Sequence, residues 1–384
     1  MKLFSKLRVR FFIKFLQIFV KNTIYQVTGF LDLLGILGYI LTKFNNYALY
    51  ALVTFTCVAF IIISFYIILR KKHLVITVPK HVFLEHTYHI NKIALSPDEK
   101  YLASCSGDNF VILWDLINSK PLYRFQHPTW VSNVTFSPDN RLLYTLNGTS
   151  GTLNQWDILK KSKISSKEWF PKQAKEETTV KTRGLALSSD GRRMVITSER
   201  GSFVYIDPTI ENFHFIPQRI SKTEIRKALI ANQDIYLSTS EGQIFFIDTS
   251  GGSSNWQIRL LYKDNNNEMI RVMAINQKKK YLAFTNSGGY LIVINLESNA
   301  PFSKKAHNGH AVAVCFNKSG NFIATGGQDN IIRLWKLKNG EPKEKFQIHG
   351  HSDTVTSLVF DSNDQLYSAS RDKSIKVWNL KGLE

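Results

Sequence analysis

The sequence predicts an all-β domain built from one unit repeated seven times, preceded by a helical membrane region. Three observations carry this expectation. From residue 80 onward the chain is self-similar, with equivalent positions 41 to 50 residues apart. Upstream, Tyr47–Leu69 is a run of 23 residues without a charge. The charge is also divided between the two parts. The first 73 residues hold ten Lys and Arg and a single acid, Asp32, and so carry +9 of the net +19. The remaining 311 residues hold 39 basic and 29 acidic residues, or +10. A hydrophobic content of 44% excludes a disordered chain. Three distant cysteines, Cys57, Cys105 and Cys315, exclude a disulfide scaffold and offer no zinc-binding spacing.

Residues 1–22 form a basic amphipathic segment. Lys6, Arg10 and Lys14 recur every four residues on one helical face, with Phe4, Phe11, Phe12, Phe15 and Phe19 mostly opposite. Residues 23–73 are the expected membrane region. The run 47–69 is long enough, at about 1.5 Å per residue, to cross a hydrocarbon core of about 30 Å. Tyr47 and Tyr50 at one end and Arg70-Lys71-Lys72 at the other suit the two interfaces. A second stretch, 24–42, is interrupted by Gln26 and Asp32 and by three glycines. It is either the first arm of a hairpin or a segment lying at the interface. The excess of positive charge after the strong span places residues 74–384 in the cytosol. The expectation is therefore an integral membrane protein.

The repeated unit has a fixed grammar: an alternating apolar strand, a polar turn, a second strand, a small-residue turn and a third strand. The clear examples cover 90–116, 131–158, 311–337 and 355–380; degenerate ones cover 182–208, 225–249 and 270–296. The equivalent third-strand positions are Trp114, Trp156, Ile206, Ile247, Ile294, Trp335 and Trp378. Four units are preceded by a histidine (His86, His127, His307 and His351), and three carry an acid six residues before the Trp (Asp108, Asp329 and Asp372). Blade 2 has Ser150 at that place.

In these units residues 80–384 resemble the WD40 family. The resemblance implies a seven-bladed β-propeller of four-stranded blades around a central channel. It also implies that the His, a small hydroxyl residue, the Asp and the Trp form a buried hydrogen-bond chain that locks each blade. That gives these histidines a structural role, neither catalytic nor metal-binding. The chain ends soon after Trp378, leaving no fourth strand for the last unit. The segment 80–85 matches those before His127 and His351, so it is expected to complete the last blade and close the ring.

Such a closure joins the membrane region to the ring through a linker of about ten residues, Arg70 to Pro79, on the face holding the first-to-second and third-to-fourth strand loops. That tethered face carries Lys278, Lys279 and Lys280, and in a long blade 2 loop Lys160, Lys161, Lys163 and Lys167. With Arg70, Lys71 and Lys72 these are candidate contacts to anionic lipid. The opposite face holds the candidate partner-binding residues His89, Trp130, His310, Gln328 and Arg371, with Trp130 the leading one.

No nucleophile elbow, phosphate-cradling glycine loop or clustered metal ligands point to an enzyme or a cofactor. The expected function is a membrane-tethered scaffold that presents an interaction face to cytosolic proteins. Its domain order is similar to that of transducin β-like proteins of the endoplasmic reticulum. Two alternatives are a guanine-nucleotide exchange or regulatory factor for a small GTPase at that membrane, and an RNA-binding propeller. Nucleic acid is disfavoured because no aromatic platform is interleaved with the basic clusters.

Overall fold

The computed structural model describes residues 75–169, 181–206, 218–232, 234–250, 256–276 and 280–380. The expected segment 1–22 and spans 24–42 and 47–69 lie outside them, as do Arg70, Lys71, Lys72, Lys278 and Lys279. Among the described residues no helix is long and apolar enough to cross a membrane.

The described chain is all-β, in seven sheets that follow one another as the blades of a propeller. Each innermost strand is short and alternating: Ile90–Leu95, Val131–Phe136, Thr182–Leu187, Ile225–Ala231, Ile270–Ile275, Ala311–Phe316 and Val355–Phe360. The second strands are almost wholly buried, as Tyr101–Ser106 and Gln365–Ser370 illustrate, because blades pack on both of their faces. The outer strands meet solvent. Ser162–Glu168 is exposed along its whole length. Lys163 and Lys167 therefore belong to a strand of blade 2 and not to a loop, lying over the rings of Trp156 and Trp169 at 5.0 and 4.2 Å.

Ring closure uses the N-terminal end of the domain twice. His81–Phe83 pairs antiparallel with Ile375–Val377 and forms the outer strand of blade 7. Phe83 is buried among Ile90, Trp114 and Tyr367, so one side chain joins the first blade to the last. The second use has no counterpart in the repeat grammar. Val75–Ile76 pairs parallel with Gln347–Ile348 and adds a fifth strand to blade 6. This corrects the expected linker of 70–79, since residues 75 and 76 are already fixed to the domain. Parallel pairing also aims the Val75 end toward the side from which the strand Glu341–Ile348 starts, the face of the third-to-fourth strand loops.

One irregularity recurs in all seven blades. Between the innermost and second strands the register slips at the second residue of the innermost strand, so that one residue is extra. The extra residues are Asn91, Ser132, Arg183, Arg226, Arg271, Val312 and Thr356. A bulge re-aims side chains, and here it does so seven times around the central channel.

Candidate functional site

The blade-locking chain is present in blades 1, 6 and 7. Trp114 Nε1 donates to Ser104 Oγ at 2.8 Å, Ser104 meets His86 Nε2 at 2.7 Å, and His86 Nδ1 meets Asp108 at 2.7 Å. Trp335–Thr325–His307–Asp329 and Trp378–Ser368–His351–Asp372 repeat it with contacts of 2.7 to 2.9 Å. In blades 1 and 7 the carboxylate can only accept, which puts a ring proton on Nδ1; in the neutral ring Nε2 then accepts from the hydroxyl, whose oxygen takes the indole N–H. Burial alone would raise the Asp372 carboxyl, but its bonds to His351, Ser374 and the Ser352 amide hold it well below the usual range. Asp329 is lowered by the same balance, with the Arg333 guanidinium at 2.8 Å adding a cation.

Blade 2 solves the problem differently. Ser150 turns to Thr152 and takes no part. His127 Nδ1 instead faces Asn147 Oδ1 at 3.0 Å, while Trp156 donates to Thr145 at 3.0 Å. Without a carboxylate to favour the cation, burial pushes His127 down to about 4. In blades 3 to 5 the positions in register with Ser104 are Ile196, Leu237 and Phe284, beside Ile206, Ile247 and Ile294 in place of Trp. Hydroxyl and indole are lost together, as pairing requires.

The upper face is formed by the loops leading into each first strand and those joining the second strand to the third. It holds all five candidate partner residues. Backbone bonds tie the two loop sets: Gly107 to His89, Gly148 to Trp130, Gln328 to His310 and Arg371 to Thr354, at 2.9 to 3.0 Å. Gln328 and Arg371 are exposed, whereas His89, Trp130 and His310 are half-buried. The Trp130 ring covers Gly148 so closely that a Cβ there would fall 2.1 Å from it. His310 Nδ1 donates to the Ser287 carbonyl at 2.7 Å. Tyr88, 54% exposed and packed on His89 at 4.3 Å, is an aromatic of this face that the sequence reading missed.

Below this face lies the central channel, with a cavity of about 370 Å³ bounded by residues of all seven innermost strands. Its cations come from four of the seven blades, 1, 4, 5 and 7. Arg226 and Arg271 line it, with Lys92 and Lys227 one residue farther along their strands and Arg371 and His89 at the mouth. Arg183 is paired with Glu199 and Glu224 at the rim. Arg226 Nη1 also holds Glu224, at 3.0 and 3.1 Å. Burial, then repulsion by Lys92 and Arg226, pushes Lys227 down to about 7. Burial also lowers Lys92, Arg271 and His89. The sequence reading did not single out these cations. Their signal is nonetheless in the register: the second residue of the first strand is Arg in blades 3, 4 and 5, the blades without the Trp chain.

The structure thus brings His89 and Arg371 to the channel mouth and His310 and Gln328 into contact, with Trp130 apart in blade 2. Among the candidate lipid contacts, Lys280 is exposed before the second strand of blade 5. Among the described residues no group of three or more His, Cys, Asp or Glu is arranged to hold a metal.

The family model for the WD domain, G-beta repeat, matches residues 77–115, 119–157, 302–336 and 342–379. Each match ends one residue after Trp114, Trp156, Trp335 or Trp378, and the first three strands of blades 3 to 5 are unmatched. The chain is 27% identical over 331 residues to the WD repeat-containing protein WDS homolog of Arabidopsis thaliana, covering 77% of this chain and 56% of that protein. It is 23% identical over 349 residues to the nuclear distribution protein PAC1 of Candida albicans, covering 79% and 68% respectively. Over 81 residues, 21% of this chain and 16% of the other, it is 32% identical to human WD repeat-containing protein 37. The chain thus spans about half to two thirds of the length of the first two of these relatives. Seven blades, the Trp–hydroxyl–His–Asp chains and these matches lead to one statement: the chain belongs to the WD40-repeat family.

Proposed function

We propose that this propeller is a membrane-tethered scaffold whose upper face binds cytosolic proteins. The observation that carries the reading is the division of labour between the two faces. The backbone of Val75–Ile76 points its N-terminal end toward the lower loops, and the 23-residue apolar run lies only a few residues upstream. The upper face presents Tyr88 and Arg371 exposed and Trp130 half-buried, residue types enriched at protein interfaces, with Gln328 exposed on the same face. The basic flank Arg70-Lys71-Lys72 supports cytosolic placement of the ring. The domain order supports the endoplasmic reticulum as its membrane. Lys278, Lys279 and Lys280 would lie on the tethered side, where anionic lipid would meet them.

Alkaline extraction and protease protection of sealed microsomes test the tether. The full chain should remain with the membrane at high pH, and protease added outside should digest the propeller. Release of the chain into the supernatant, or full protection of the propeller, would overturn this reading.

A further inference from the structure

Among the described residues the channel lining has a surplus of cations without matching acids. Glu199 and Glu224 are the acids that reach the cluster, and both are engaged with Arg183, Glu224 also with Arg226. Asp108 and Asp353 act on His89 at the mouth, but Asp108 is held by His86. Arg271 has no hydrogen bond or ion pair among the described residues, and its Nε is buried. Arg226 Nε is likewise buried without a partner. Lys92 and Lys227 are held only loosely, at 3.4 Å from Asn133 Oδ1 and from the Arg183 carbonyl. Like charges gathered in a confined cavity without counter-charge destabilise the fold. Their arrangement suits a ligand that supplies the missing negative charge.

We propose that the central channel binds a small anion carrying at least two phosphate groups, with Arg226, Arg271 and Arg371 holding the outer group and Lys92 and Lys227 the inner one. Guanidinium forks and ammonium groups are the side chains suited to phosphate oxygens. The two levels follow from the strands. Arg226 and Lys227 are consecutive at a bulge, so both side chains reach the cavity at different depths, about 3 Å apart along the strand. A single phosphate on a partner's side chain would meet Arg371 and His89 at the mouth and leave Lys92 and Lys227 uncompensated. A free, compact polyanion fits a cavity of about 370 Å³ and reaches both levels.

Calorimetric titration of the purified full-length chain with inorganic pyrophosphate and, separately, inorganic phosphate tests this. Pyrophosphate should bind saturably at one site, roughly tenfold or more tighter than phosphate, since each added charge-assisted contact strengthens binding by about that factor. Arg271→Gln should weaken both anions, and Lys227→Met should weaken pyrophosphate more than phosphate. Arg371→Gln, at an exposed position where folding is not at stake, should weaken both by a smaller factor. The double variant Lys120→Gln, Lys345→Gln removes two exposed outer-strand charges and should leave binding unchanged. Absence of saturable binding, equal affinity for the two anions, or equal losses in the channel variants and the outer-strand control would each overturn the proposal.

Discussion

Arg226 and Arg271 stand at the same register position of neighbouring blades, each the extra residue of a bulge facing the channel, yet Glu224 pairs with Arg226 and not with Arg271. This asymmetry makes the channel a place where the fold gives up stability. Replacing Lys227 beside them with Met should therefore stabilise the anion-free protein by about 1–3 kcal/mol, a range reduced because water reaching the channel screens the charges. The sign follows from linkage. Lys227 is lowered from 10.5 to about 7 on folding. Between those values the unfolded chain binds more protons, so wild-type stability falls as pH drops toward 7. The gain from Met should be fully present below about pH 7 and shrink toward pH 10, as read by thermal unfolding.

Ser104 and Thr197 should respond in opposite directions. Ser104→Ala leaves the Trp114 N–H and His86 Nε2 buried without a partner and should cost about 1–3 kcal/mol. Thr197 Oγ1 is buried with no partner among the described residues, so Thr197→Val should be neutral or stabilise by up to about 1 kcal/mol. Urea unfolding of both variants checks the pair.

Phe83 joins blade 7 to blade 1, with its ring 4.8 Å from that of Trp114. Phe83→Ala should cost about 3–5 kcal/mol. It should also speed amide exchange first in Ile375–Val377, the segment paired with His81–Phe83, when followed by hydrogen exchange.

His127 gives the chain a pH response of its own. Its pKa falls from 6.5 to about 4 on folding, so the unfolded state takes up the proton first. Its contribution to stability is complete above about pH 6.5 and is lost as pH falls to about 4, by about 2–3 kcal/mol. His127→Asn should flatten the pH profile of the melting temperature in that window.

The seven units were legible because the Trp or Ile position recurs in register and the strands alternate, and both signals survive in the degenerate blades. The candidate partner residues could be placed on one face because each lies in a loop that enters a first strand or leaves a second one. Other features left weaker signals. A two-residue strand such as Val75–Ile76 has no pattern to read. Asn147 replaces a carboxylate from a position on the second strand, where turn-based alignment does not look. The channel cations were hidden within strand alternation, because a bulge that turns two consecutive residues to the same side is invisible to a period of two.

The central claim, that the upper face recruits partners, is tested most directly by proximity labelling from the intact protein in cells, repeated with Trp130→Ala and Arg371→Glu. The account predicts specific partners that are lost from both variants while each variant stays folded and keeps its membrane fraction. Identical partner sets for wild type and both variants would contradict it.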